Sequence, residues 1–242
     1  MTTPALGCGA LAPKVAMRSL ELTMKCAIVT PIGPGHEEAY RSCALSIDLA
    51  ARHGLGPFTT IIKVPIYDLQ GGSGRSAARN LGIETANGLG CDWIFFLDAD
   101  DLMVADAFEN VTTLVHDYDA IWGLICEAPH GSLHQLKLRE HQSGSATSLD
   151  DVLNLDPFLT LQMGHFIKAP IALKIKFDVD LDAGEDFKFY LACWRHYKCI
   201  KGDFVLFLNL RGNHSTGPRS ADGQQWRRAV DRQIIQCKAE WR

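Results

Sequence analysis

The chain has 242 residues, 47% of them apolar and 21% charged, with a formal net charge of −4 and a pI near 6.1. That is the balance of a globular protein large enough to bury a core without covalent staples. The mild acidity excludes a general affinity for nucleic acid or for an anionic membrane.

No run approaches the roughly 18 apolar residues of a membrane span, so only peripheral contact with a membrane stays open. The eight cysteines include no Cys-x-x-Cys pair, and several sit in apolar stretches, such as Cys126 in IWGLICEA and Cys193 in FYLACW. Such residues behave as small buried hydrophobes, which predicts a reducing, cytoplasmic setting with neither a disulfide framework nor a zinc knuckle. Residues 1–23 are low in charge and lack a signal-peptide pattern, and read as a loose extension.

From Cys26, CAIVTPIG predicts a buried strand stopped by Pro and Gly, and HEEAYRSCALSIDLAARHG a helix closed by Gly54. FTTIIKVPI predicts a second strand, RSAARNLGIETANG a helix, and DWIFFL a third strand. VADAFENVTTLVHDY then reads as a helix and AIWGLIC as a strand. Residues 127–147, with His130, His134 and His141, read as a long polar loop. LDDVLNLDPFL reads as a short helix, MGHFIKAPIALKIKF carries mixed signals, and GEDFKFYLACWRHY is a helix. The strand KGDFVLFLNL and the amphipathic helix DGQQWRRAVDRQIIQCKAEW complete the chain. Alternating strands and helices predict an α/β fold with a mainly parallel sheet in one domain, residues 24–242. Its halves are 24–103 and 104–242, the second ending in the C-terminal helix.

Four stretches carry chemistry. The first is IFFLDADD, in which Asp98, Asp100 and Asp101 follow an apolar strand. Ligands of open α/β sheets sit beyond strand carboxyl ends, and paired carboxylates repel unless a cation lies between them or one takes a proton. Hard oxygen donors suit Mg²⁺ or Mn²⁺, while Asp101 also fits as a helix N-cap. In GGSGRSAARNLG, Arg75 and Arg79 share a helix face behind a glycine-rich approach whose amides could meet an anion. A solvated arginine face is the plainer reading. Glu185 and Asp186 open a helix, as favourable terminal charges or with Asp186 as a proton acceptor. Arg211 and His214 leave a strand into a Gly/Pro loop, where the histidine could meet a metal or a diphosphate.

A strand ending in TP, then SAARNLGIETANGLGCDWIFFLDADD, then AGEDFKFYLACWR resembles the family-2 glycosyltransferases of the A-type nucleotide-sugar fold, over residues 25 to about 215. The resemblance implies a Rossmann-like, mostly parallel mixed sheet and an inverting transfer of sugar from a nucleotide-diphosphate donor to an acceptor hydroxyl. It implies Thr30 and Pro31 against the base and Arg79 near the diphosphate, with Arg75 and Arg211 as further candidates for the nucleotide sugar. Asp98 falls by ribose and metal, Asp100 on the metal, and His214 near a third metal or diphosphate contact. Asp186 would be the catalytic base, with Glu185 shaping the acceptor side. Where relatives carry an Asp-Asp-Gly-Ser-like turn this chain has FTTIIKVPIYDLQGGSG, with Asp68 the nearest candidate. QQWRR is only superficially similar to the QxxRW signature of processive relatives. The acceptor stays open among glycan, lipid, protein and small molecule. A sugar-phosphate nucleotidyltransferase and a non-catalytic nucleotide or glycan binder are the rival readings.

Overall fold

The computed structural model describes residues 23–128, 132–142, 144–210 and 223–240. Arg211, His214, His130 and residues 1–22 of the expected extension lie outside them.

β1 (Met24–Ile32), β2 (Phe58–Tyr67) and β3 (Trp93–Phe96) run parallel, with β1 between the other two. Helices α1 (Glu37–His53) and α2 (Gly74–Gly88) make the crossovers between them. The chain then lays down β4 (Leu102–Met103), β5 (Ala120–Ala128), β6 (Lys137–Leu138), and helices α3 (Leu149–Asn154) and α4 (Pro157–Thr160). β7 (His165–Lys168), α5 (Ala169–Ile175), α6 (Glu185–His196), β8 (Cys199–Leu210) and α7 (Gly223–Glu240) follow. The sheet order is β2-β1-β3-β7-β5-β8-β4, with β6 paired to β5. β7 runs antiparallel between β3 and β5, and joins the parallel N-terminal strands to the parallel pair β5–β8. The sheet is therefore mixed. Its long ladders are parallel, and each antiparallel ladder pairs only two or three residues.

Successive side chains of a strand point to opposite faces. In β1 and β3 both faces are buried, which explains their unbroken apolar runs. Ala27, Val29, Ile94 and Phe96 pack with α2, α5, α6 and α7 on one side. Cys26, Ile28, Trp93 and Phe95 pack with α1 and the 104–117 segment on the other. Gly82 lets α2 approach β1 closely, since a Cβ there would lie 2.2 Å from Val29 Cγ1.

The helix expected over VADAFENVTTLVHDY does not form. The segment is a series of turns around a single 3₁₀ turn, Glu109–Val111, with i→i+3 bonds such as Thr112 N to Glu109 O and Leu114 N to Val111 O. Thr112 Oγ1 donates back to Glu109 O and Asn110 Nδ2 to Val205 O. These side chains compete with the helical ladder, and the β-branched run Val111-Thr112-Thr113 favours it weakly. The described residues of the expected loop include two short elements, β6 and a 3₁₀ turn at Leu133–Gln135.

Candidate active site

The carboxyl ends of β1, β2 and β3 share one edge of the sheet with the N-terminus of α6, and a cavity of about 410 Å³ opens there. Beyond Phe96 one more bond to β1 forms, Leu97 N to Val29 O, and the chain then turns sharply, with Asp101 N donating to Asp98 O. That turn brings Asp98 and Asp100, both half-buried, into the cavity wall.

Asp101 faces the other way. It is 2% exposed and accepts from Asn209 Nδ2 and from Leu210 N at the end of β8. The capping reading is thus corrected, because β4 and not a helix follows. Asp101 ties the acidic turn to a strand more than a hundred residues away. Burial first, then Asp100 and Asp98, push its pKa well above the ordinary carboxylate range.

Arg79 is buried, which overturns the solvated-face reading for this residue. Its guanidinium lies 2.9 Å from Asp98 Oδ1 and 3.6 Å from Glu185 Oε1. Burial opposes its charge, but Asp98 and Glu185 outweigh it and hold the pKa above the usual arginine value. Arg75, exposed for two-fifths of its side chain, reaches the same Glu185 oxygen at 2.6 Å. The two arginines expected at the nucleotide sugar are thus ion-paired to carboxylates, one of them from α6.

Asp68 also lines the cavity, and its carboxylate accepts from the backbone N–H of Gly72, Ser73 and Gly74 at 2.9–3.1 Å. The glycine-rich approach was expected to offer those amides to an external anion. An internal one already holds them, and it caps α2 where Ser73 makes no side-chain cap of its own. Pro31 lines the cavity beside it, whereas Thr30 is 1% exposed beneath the lining.

α6 starts at Gly184, whose φ of +78° favours glycine and where a Cβ would crowd Ala229 and Gln233 of α7. Glu185 is 2% exposed, and burial followed by Asp186 raises its pKa against the pull of Arg75 and Arg79. Asp186 is half-buried in the cavity wall, and its Oδ1 accepts from Phe187 N and from Trp226 Nε1 at 3.1 Å.

The charged groups among the lining residues are five carboxylates (Asp68, Asp98, Asp100, Glu185, Asp186) and three guanidiniums (Arg75, Arg79, Arg139). A diphosphate entering this negative site calls for a compensating cation. Asp98 and Asp100 offer hard oxygens fitted to Mg²⁺ or Mn²⁺, and such ions take the rest of their shell from phosphate and water. Among the described residues no group of three or more His, Cys, Asp or Glu side chains gathers to hold a metal. The residues present therefore fit a cation held by two carboxylates and completed by its ligand.

The sequence reading missed the far wall. Arg139, from the expected loop, is 6% exposed and bonds Glu127 Oε1, Phe158 O and Gln162 Oε1, with its guanidinium over the Phe158 ring. His36, Met163 and Asn209 complete the wall. No local sign marked Arg139: the alternation of LKLRE would turn the leucines inward, whereas Leu136 and Leu138 are exposed and Arg139 is buried.

Residues 60–163, from β2 through the acidic turn to Met163, match the family model described as Glycosyl transferase family 2. The match ends before Glu185. No protein of curated function matches the chain in sequence. Among solved structures, S. aureus TarS 1–349 in complex with UDP superposes with a TM-score of 0.58 at 14% identity, over 78% of this chain and 61% of that one. TarS 1–349 in complex with UDP-GlcNAc gives 0.57 at 12% identity, over 86% and 65%. GalNAc-T7 with UDP, GalNAc and Mn²⁺ gives 0.54 at 12% identity, over 87% and 48%. This chain thus spans less than two thirds of each of these structures, and at such identities the likeness is one of fold.

Proposed function

We propose that the chain, which has the A-type fold and matches glycosyl transferase family 2 over residues 60–163, is a divergent member of that family and transfers a sugar from a nucleotide-diphosphate donor to an acceptor hydroxyl with inversion, using Mn²⁺ or Mg²⁺. One observation carries the reading: the acidic turn and the start of α6 meet in one cavity, with Arg79 between Asp98 and Glu185.

Asp98 and Asp100 would hold the cation, which when bound offsets the charge developing on the departing diphosphate. Pro31 packs beside the nucleotide end. Arg79 holds Asp98 and Glu185 at fixed spacing. Asp186 accepts the proton of the acceptor hydroxyl as that oxygen attacks the anomeric carbon and the bond to the diphosphate breaks. One displacement with one base inverts the configuration. Glu185, buried and doubly paired, stays out of the proton transfer and shapes the acceptor side.

The UDP bound in TarS and in GalNAc-T7 makes uridine donors the first to test. The seven described cysteines, all free and buried, support a reducing, cytoplasmic setting. No helix among the described residues is long and apolar enough to cross a membrane. The acceptor is a glycan, lipid, protein or small molecule rather than a nucleic acid.

The test mixes the chain with UDP-GlcNAc, UDP-glucose or UDP-galactose and Mn²⁺, and measures UDP release with and without EDTA. Asp100→Asn and Asp186→Asn should each lose activity, the latter by about 10²–10⁴-fold as expected for a general base. Full activity in both variants, with metal dependence unchanged, would sink the proposal.

A further inference from the structure

QQWRR, residues 224–228, is only superficially similar to a known signature. In the structure it lies on α7 against the start of α6. Trp226 is 7% exposed, packs edge-on against Phe187, and donates its indole N–H to Asp186 Oδ1 at 3.1 Å. Two turns further on, Gln233 Nε2 donates to Gly184 O at 3.0 Å. Arg227 pairs with Asp156, the N-cap of the α4 segment that carries Phe158 into the cavity wall.

We propose that Trp226 is a positioning residue for the Asp186 carboxylate, deepening the function proposed above and resting on it. Both hydrogen bonds to Asp186, from Phe187 N and from the indole, converge on Oδ1. The carboxylate is thereby pinned through one oxygen, and Oδ2 is the oxygen presented to the acceptor hydroxyl. A carboxylate free to turn about its last torsion would present either oxygen at varied angles, and proton transfer depends on that geometry. α7 holds the pin rigid through Gln233 and links it through Arg227 to the opposite wall. Trp226 therefore acts on the chemical step and leaves donor binding alone.

The test has two independent readouts. In a ¹⁵N–¹H spectrum of the whole chain, which holds five tryptophans, Trp226→Phe deletes one indole N–H peak. Asp186→Ala should move that same peak upfield with little effect on the other four. This needs no turnover, so it stands even if no tested sugar nucleotide is a donor. The second readout is UDP release from UDP-GlcNAc with Mn²⁺, with water or an added acceptor taking the sugar. Trp226→Phe should lower kcat about tenfold, the size of one hydrogen bond to a charged group, with the donor KM unchanged. In the Asp186→Ala background the same change should do nothing more. If Trp226→Phe fails to fold, benzothienylalanine at position 226, which keeps the shape and lacks the N–H, takes its place. An indole peak indifferent to Asp186→Ala, an unchanged kcat, or a rise in donor KM matching the loss in kcat overturns the proposal. Failure of the wild-type chain to turn over any sugar nucleotide overturns the proposed function instead.

Discussion

Replacing Arg79 by Met tests how the two carboxylate pairs are held together. The guanidinium is 5% exposed, 2.9 Å from Asp98 and 3.6 Å from Glu185, whose side chain is 2% exposed. Removing one partner of a buried ion pair typically costs about 3–5 kcal/mol, because the other charge is left without compensation. Two features reduce that here. Arg75 still reaches Glu185 at 2.6 Å, and Asp98 keeps about a third of its side chain exposed (34%). A loss of about 2–3 kcal/mol at pH 7 is therefore expected, read as a lower urea midpoint. The deficit should depend on pH with a definite sign. Glu185 already has a raised folded pKa, so its contribution is full below the unfolded value and is lost as pH rises through the folded one. Without Arg79 that loss deepens, so the variant should approach the wild type near pH 4 and fall away towards pH 7. Mn²⁺ should raise the stability of Arg79→Met more than that of the wild type, since a cation at Asp98 replaces the missing positive charge. A deficit under about 0.5 kcal/mol, the range of ordinary surface substitutions, or one constant from pH 4 to pH 7, would refute the reasoning.

Lys201 is fully buried and its Nζ meets only a long contact to Gln142 Oε1 at 3.5 Å among its hydrogen bonds; burial, then Arg139, lower its pKa from 10.5 to about 8. A depressed pKa gives stability above the unfolded value that is lost as pH falls through the folded one, so at pH 7 the lysine costs about 3 kcal/mol as an order of magnitude. Lys201→Met should therefore stabilise the chain at pH 7, and the gain should shrink between pH 8 and 10.5; urea unfolding at three pH values checks both. Asp68→Ala should weaken the start of α2 by about 1 kcal/mol, the usual size of a lost cap. It should also free the amides of Gly72, Ser73 and Gly74, so sulfate should raise the variant's Tm more than the wild type's.

Local signals placed most of the fold. CAIVTPI, FTTIIKVPI and WIFF combine apolar, β-branched runs with Gly and Pro stops, and each is a strand. The helices that follow carry apolar residues at 3.6 spacing and also came out, within two residues at their ends. Most of the failures are positions where partners distant in sequence decide, while the GGSG amides, taken by Asp68 from four to six residues away, are a local exception. Asp101 looked like a cap because its partners, Asn209 and Leu210, stand beyond any local window. The amides of GGSG looked free because the carboxylate that takes them belongs to Asp68, at the end of the preceding strand. Arg139 looked like loop because its burial depends on Glu127 and on the α4 segment. Over 104–118 the apolar spacing suggested a helix, but Thr and Asn hydrogen bonds to backbone carbonyls broke it into turns.

The start of α6 decides between two accounts of its carboxylates. Acidic residues in the first turn of a helix are favourable for the dipole alone, and that account needs neither burial nor partners. Asp150 of α3 fits it, standing exposed in the first turn. Glu185 does not, because it is buried, its pKa is raised by that burial, and two arginines from α2 converge on one of its oxygens. Desolvating such a group is unfavourable in itself, and a hydrophobic residue of similar volume would commonly serve stability as well or better. The ion pairs instead fix distances: Arg79 spans Asp98 and Glu185, so the acidic turn and the N-terminus of α6 move as one body. Asp186, the next residue, inherits that placement, and Trp226 sets its orientation from the other side. A helix start held from two directions, beside a pair of carboxylates suited to a cation, is what the proposed in-line displacement would draw on, since its attacking oxygen and departing diphosphate would keep opposite sides of one carbon.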